Sequence, residues 1–517
     1  MTTREATSDA PAVGTTTRQG LAVLGAAGVL GVLGDGLLRA GPPGISAALW
    51  LAAFFAGVLA LHRALAAAGL RGYVVPASVA TAFALGLAWR DSDALKLLDL
   101  AVVGTIAALL FLRVAGARLR SVSLCKLAAA AVLTGVHAAL GSAVLALSDV
   151  RWRELRGERR AARAIAVVRG LAIAAPIVAV FGALLVGADA VFARLVTKVL
   201  GIDIEVVVGH IFFAGFFAWV AGGVLRCVLL KPPVVPLAAD LPQRPLLGMV
   251  ETGVVLGVLD VLFLSFVVVQ VRYLFGGAGY VESLPGLTYA EYARHGFFEL
   301  VGVAALAIPL LLASHWLLRR DGGRDERIYR GLAGVMAVLL AVMMISGLQR
   351  MLVYTAEYGL SELRVYTLAF MAWLGLVLAW FAATVLVGRR DRFAFGALAA
   401  GVAVVAIVNV CNPDDLIARV NIARAAASGR FDAAYAGSLS ADAAPALVAG
   451  LATLAPAQRE AAVGALARTL RRLRAAGWRT WSVSRARALR ALEAGPAELR
   501  RRAEADDGAP RAGCAGP

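Results

Sequence analysis

The feature that most constrains this chain is its alternation of long apolar runs with short arginine-bearing links from residue 21 to residue 410. A bilayer core about 30 Å thick takes roughly 20 apolar residues per helix. Twelve runs approach that length: 21–38, 45–61, 73–89, 97–114, 127–147, 164–186, 206–230, 249–271, 297–318, 331–347, 367–387 and 394–410. An isolated strand would leave its backbone polar groups unpaired in lipid, and no ten-residue alternation of a membrane barrel is visible, so each run reads as a helix. With 60% hydrophobic residues and a mean hydropathy of +0.78, a water-soluble fold would expose large apolar patches. The expected fold is all-α: a polytopic transmembrane helix bundle of 11 or 12 spans with a C-terminal helical domain. The expected divisions are a polar tail over 1–19, the bundle over 20–410, the helical domain over 411–502 and a disordered tail over 503–517.

Charge placement sets the expected topology. Lysine occurs only at Lys96, Lys126, Lys198 and Lys231, so 51 minus 4 leaves 47 arginines. The positive-inside rule puts the arginine-rich links 151–163 and 319–330, and Arg389, Arg390 and Arg392, on the cytoplasmic side. The last run then exits outward, taking the C-terminal domain with it. Arg113, Arg118, Arg120 and Lys126 before the fifth run compete with the six arginines that follow it. Either the amino terminus lies outside with twelve spans, or one early run does not cross and it lies inside. Basic links of this kind account for the net charge of +17 without nucleic acid, which is not expected as a partner.

Glycines 25, 28, 31 and 34 recur every three residues in the first run, a bare stripe on which another helix could pack closely. Cys125, Cys227, Cys411 and Cys514 show no metal-knuckle or redox spacing, and no Walker loop, kinase signature, Gly-x-Ser-x-Gly elbow or His-Glu-x-x-His occurs. No cofactor or metal is expected, and the absence of these motifs weakens an enzymatic reading.

Three links on the expected outer side are more than simple turns. Residues 188–204 carry an apolar helical face opposite Arg194 and Lys198, as in an interfacial helix. Tyr273, Tyr280, Tyr289 and Tyr292 surround Glu282, Glu291, Arg294 and His295, while Tyr354, Tyr358 and Tyr366 accompany Arg350, Glu357, Glu362 and Arg364. Such mixtures suit headgroup depth. Glu291, Arg294, Glu357, Glu362 and Arg364 thus form a candidate outer-loop cluster. It could clamp a charged or zwitterionic ligand, or consist of ordinary solvated pairs worth under about 1 kcal/mol each.

The strings GADAVFARLV from Gly187, QVRYLFGG from Gln270, LTYAEYARHGFFEL from Leu287, YGLSELR from Tyr358, NPDDLIARVNIARA from Asn412 and WRTWSVSRARA from Trp478 resemble those of one group of bacterial membrane proteins. That group is the domain of unknown function 4173 family, with its relative 4153. The resemblance covers roughly residues 169–488 and implies a multi-pass protein of the bacterial cell membrane, with no activity or site residue to carry over.

Ionisable residues deep inside a span usually mark a pathway, because a charge at mid-bilayer costs several kcal/mol unless paired or hydrated. Asp260 stands near the middle of its run and His137 near the middle of another. They are the candidate intramembrane polar residues, read either as lining a proton or cation path or as hydrogen-bonded glue between helices. In the tail, Asn412 reads as a cap, Pro413 as a first helical residue, and Asp414 and Asp415 as partners of the helix amino end. Further helices are expected from Ser440, after Pro456 with Val463, Leu466, Leu470 and Leu473 on one face, and around 481–492. Trp478 and Trp481 read as core, with a membrane-interface position as the alternative. The leading functional expectation is a non-enzymatic envelope protein for sensing or scaffolding, with the lipid bilayer and an envelope protein or small solute as partners. The alternative is a proton- or cation-coupled secondary transporter using Asp260.

Overall fold

The computed structural model describes residues 15–39, 41, 43–64, 74–114, 124–152, 181, 204–230, 247–282, 297–318 and 323–505. Among the described residues eleven named helices lead to Cys411: α1 (Thr15–Leu38), α2 (Ile45–Ala64), α3 (Val74–Trp89), α4 (Asp93–Val114), α5 (Leu124–Val144, ending in a π turn Leu145–Asp149), α6 (Ile204–Leu229), α7 (Met249–Glu282), α8 (Phe297–Leu317), α9 (Gly323–Tyr358), α10 (Glu362–Thr384) and α11 (Phe393–Cys411). Among the described residues nine helices are long and apolar enough to cross a membrane, the exceptions in this series being α3 and α4. The sixteen residues of α3 rise only about 24 Å, and α4 opens with Asp93, Lys96 and Asp99. The expected run 164–186 lies outside the described residues except for residue 181, the expected interfacial helix 188–204 does so except for Ile204, which opens α6, and both Glu291 and Arg294 lie outside them. The other eleven runs are helical.

The helices gather in two groups. Val23 and Leu30 of α1, Leu145, and Ala221, Leu225 and Leu229 of α6 share one core, against which Trp50 and Phe54 of α2 pack. A second core joins α7 to α11 around Leu256, Leu311, Tyr329, Met336, Leu340 and Phe381. The α3–α4 hairpin links them, since α3 packs on α2 and α4 packs on α11.

The glycine stripe of α1 divides. Gly31 and Gly34 face α6, where an added Cβ would lie 2.6 Å from Ala218 Cβ and 2.5 Å from the Phe217 ring, whereas Gly25 and Gly28 meet nothing within 4 Å. The packed face runs through Gly20, Ala27, Gly31 and Gly34, all buried, at helical spacings of seven, four and three. A strict step of three walks off any one face.

Helix extends into two expected links. Tyr273 and Tyr280 lie within α7, and between α9 and α10 only Gly359, Leu360 and Ser361 are non-helical. Gly359 makes that turn with φ +76°, a left-handed backbone that favours glycine. The 36 residues of α9 rise about 54 Å, so it extends well past the hydrocarbon.

After Cys411, six helices surround one core: α12 (Pro413–Ser428), α13 (Ala433–Ser438), α14 (Ala444–Gly450), α15 (Pro456–Arg474), α16 (Val483–Glu493) and α17 (Ala497–Ala505). Val463, Leu466, Leu470 and Leu473 are all buried there, on the face their spacing predicts. Three details depart from expectation. Asn412 sits at φ 53° and ψ 78°, closing α11 in the left-handed conformation, and its side chain makes no capping bond to α12. Trp478 and Trp481 are 60% and 43% exposed, so they are not core residues. Helix α17 runs past residue 502 to Ala505 with Ala503 buried, so the chain is still ordered at the expected onset of the disordered tail.

Candidate functional site

The C-terminal helices meet the bundle through a buried charged junction. Its centre is the three-residue elbow Arg90-Asp91-Ser92, between α3 and α4, whose side chains are at most 9% exposed. The link is short and buried, so its polar groups find their partners in other parts of the protein. The Arg90 guanidinium donates from Nε to the Asn409 carbonyl at 2.9 Å and from Nη2 to the Val410 carbonyl at 3.3 Å. These are terminal carbonyls of α11, where a cation complements the negative end of the helix. The third guanidinium nitrogen, Nη1, reaches Asp442 Oδ1 at 3.4 Å.

Asp442 gathers further donors. The Asp91 N–H donates to its Oδ2 at 2.7 Å, Ser440 Oγ donates at 3.3 Å, and Ser484 Oγ donates to Oδ1. Reciprocally, Asp91 accepts from the Ala441 N–H at 3.3 Å, Arg485 Nε at 2.6 Å and Lys96 Nζ at 3.3 Å. Two buried carboxylates therefore sit among three buried or largely buried cations, each with charge-assisted hydrogen bonds, the arrangement that offsets the cost of desolvating charge. Ser92 Oγ and the Tyr366 hydroxyl, 3.2 Å apart, extend the junction to α10, and Asn409 Nδ2 donates to Asp99 Oδ1 at 2.7 Å from α11 to α4. Gly86 makes room for Asp99: an added Cβ would lie 2.5 Å from its Oδ2.

Asp414, read from sequence as a helix-end charge, is fully buried and accepts from the Ser440 N–H at 3.2 Å. Burial pushes its carboxyl up to about 6; the Ser440 hydrogen bonds oppose this, and the nearby Glu362 and Asp442 charges add to it.

Beside this junction lies a cavity of about 840 Å³ between the α9–α10 turn and the C-terminal helices, with Tyr358, Arg364, Arg424, Arg430, Tyr435 and Gln458 in its wall. Arg364 donates to the carbonyls of Tyr358 and Gly359 and lies 4.2 Å from the centre of the Tyr354 ring. Arg424 donates to the Ala356 carbonyl at 3.2 Å and to that of Glu357. Both arginines thus complement the carbonyl end of α9. Asn421 pairs with both main-chain groups of Leu360, at 2.8 and 2.9 Å. The Glu362 N–H donates to the Tyr435 hydroxyl at 2.8 Å, and burial raises the pKa of that phenol. Of the outer-loop candidates, Arg364 lines the cleft, Glu357 stands at its rim 3.8 Å from Arg430, and Glu362 anchors the turn by its backbone. Arg364 turns to the carbonyls of α9 rather than to Glu362.

Asp260 lies on the buried face of α7, 7% exposed, and neither carboxylate oxygen has a hydrogen-bond partner among the described residues. The side chains of Thr252 and Gln270, on the same helix and also buried, are likewise unpartnered among them. His137 Nδ1 is 2.7 Å from the Leu133 carbonyl one turn back on α5. Helix α5 packs on α6 and α4, and α7 packs on α9, so Asp260 and His137 belong to different helix groups. Among the described residues no cluster of three His, Cys, Asp or Glu could hold a metal ion.

Sequence reasoning gave no role to Arg90, Asp91, Lys96, Asp442 or Arg485, and Asp99 reads from sequence only as a charge within about two turns of a run's end. The only trace in the sequence is a three-residue Arg-Asp-Ser link between two apolar helices, which by itself fits headgroup contact as well as burial. Thr252 and Gln270 were also missed; with Asp260 they recur at spacings of eight and ten along one side of α7.

No curated protein and no solved structure matches the chain. Residues 77–450 match the model of a family described as Domain of unknown function (DUF4153), a stretch that begins in α3, well before the residues that carry the sequence resemblance. The match is to 4153, the relative named beside 4173 in the sequence resemblance. This multi-pass membrane chain, with its C-terminal helices seated on a buried ionic elbow, belongs to the DUF4153 family.

Proposed function

We propose that the protein is a non-enzymatic scaffold of the bacterial cell envelope, in which the bundle holds the C-terminal helices in a fixed pose and the arginine-lined cleft receives a partner. One observation carries this reading: the elbow Arg90-Asp91-Ser92 is buried and bonded to Asp442 and Arg485, which suits rigid attachment rather than a tethered tail. Sidedness follows from charge. The arginines at 324–330 and 389–392 cluster at one end of the bundle, with an added Gly388 Cβ 2.9 Å from Arg330 Nη2, and the C-terminal helices sit at the other end. The positive-inside rule makes the first end cytoplasmic and the second external.

A second reading, a proton- or cation-coupled transporter, rests on α7. Thr252, Asp260 and Gln270 span about 27 Å of helical rise, close to the hydrocarbon thickness, and their buried polar atoms have no partner among the described residues. Such a row suits a hydrated path.

One experiment separates the two. In cells, a photo-crosslinking residue is placed at Arg430 or Gln458 on the cleft, or at Glu498 on α17, while purified protein in liposomes is assayed for proton flux with and without Asp260→Asn. The scaffold reading expects a discrete adduct from the cleft positions only and no Asp260-dependent flux. Flux abolished by Asp260→Asn, without a cleft adduct, replaces it with transport.

A further inference from the structure

The turn Trp478–Thr480 and the following Trp481 occupy an unusual place: they belong to the C-terminal helices yet touch the first residue of a membrane span. The Ile45 N–H, opening α2, donates to the Trp481 carbonyl at 2.8 Å. An added Cβ at Gly44 would lie 2.7 Å from that same oxygen and 2.8 Å from the Thr480 carbonyl, and one at Gly41 would lie 3.0 Å from Thr480 Cγ2. Backbone is pressed on backbone here, so the depth of the turn is tied to that of α2. Ile45 starts a 20-residue apolar helix, long and apolar enough to cross the bilayer. The turn therefore lies level with one hydrocarbon boundary.

At that level both indoles face outward, Trp478 60% and Trp481 43% exposed, and the Arg479 guanidinium stands 5.6 Å from the Trp478 ring centre. Two exposed tryptophans on a water-facing helical surface would each forfeit apolar burial. At a headgroup boundary the same rings bury their apolar faces while the indole N–H stays wet, the position in which tryptophan is enriched.

We infer that Trp478 and Trp481 form an interfacial anchor, seating the C-terminal helices on the headgroup–acyl boundary of the bilayer that α2 crosses. The partner is the lipid surface itself. The anchor is independent of the cleft and of any transported solute.

The test uses the full chain in phosphatidylcholine–phosphatidylglycerol liposomes. Nitroxides attached at Trp478→Cys and Trp481→Cys are compared with one at Glu460→Cys, some 14 residues or about 21 Å away from the carboxyl end of α15. Collision with oxygen should exceed collision with a water-soluble nickel chelate at both tryptophan positions, and the order should reverse at Glu460. Because cysteine could disturb the turn, the unlabelled protein is also grown with 5-fluorotryptophan. Trp478→Phe and Trp481→Phe identify the two fluorine signals, which should broaden with doxyl-labelled lipid and not with a soluble gadolinium chelate. Chelate-dominated collisions at both labels together with gadolinium broadening of both native signals would overturn the anchor.

Discussion

Arg90 and Asp442 meet 3.4 Å apart across the junction between the bundle and the C-terminal helices, 352 residues apart in sequence and both buried. Among the described residues each charge finds its opposite charge only in the other part of the chain, beside the hydrogen bonds it takes from its own. Arg90 also holds the carbonyl end of α11, and Asp442 also holds the Asp91 N–H, so this pair joins three elements that follow one another nowhere in the sequence.

Truncating one partner of such a pair leaves a buried charge uncompensated, at a cost of about 3 to 5 kcal/mol. Arg90→Met and Asp442→Leu should therefore each lower the melting temperature in detergent substantially, and Arg90→Met/Asp442→Leu should lower it less than the sum of those two single changes. A double-mutant cycle on thermal unfolding checks this; additive losses would mean that the two side chains do not interact.

Asp414 gives the pH dependence. Its folded-state pKa of about 6 lies above the ordinary 3.8, so the folded chain holds the proton more tightly than the unfolded chain. The contribution favours folding below about pH 4, is lost as pH rises to about 6, and is then constant, a swing of about 3 kcal/mol. Asp414→Asn should remove it. Subtracting the melting curve of the variant from that of the wild type across pH 4 to 7.5 should leave a difference that falls with pH and flattens above 6.

The two faces of α1 respond differently to bulk. Gly31→Leu pushes side chain into Ala218 and should cost about 1 to 3 kcal/mol by overpacking, whereas Gly28→Leu enters open space and should leave stability within about 0.5 kcal/mol. Parallel unfolding of the two variants measures the contrast.

Asp260 is buried without a partner among the described residues, and the cost of keeping it so should be recovered on replacement. Asp260→Leu should raise the melting temperature. A lower one would show that the carboxylate holds a partner, and would favour the reading of Asp260 as glue between helices.

Hydropathy made the membrane helices legible because an apolar stretch of bilayer length has few alternatives to a spanning helix, as at 249–271 and 394–410. It also gave the buried face of α15, where Val463, Leu466, Leu470 and Leu473 follow helical spacing. The junction was opaque for a physical reason. Arg90, Lys96 and Arg485 have the composition of ordinary helix-end charges, and only tertiary contact distinguishes a guanidinium capping α11 from one that snorkels into headgroups. The tryptophans misled because hydrophobicity alone assigns Trp478 and Trp481 to a core, whereas their neighbour Ile45 sets them at the rim of a span.

The central claim is that the buried elbow holds the C-terminal helices rigidly on the bundle. Pulsed electron resonance distances in liposomes test it most directly, between a nitroxide at Leu97 on α4, which is 70% exposed, and one at Glu460 on α15. The account predicts one narrow distance distribution in the otherwise native chain, broadened by Asp442→Ala. A broad distribution in the native chain, unchanged by that substitution, would contradict it.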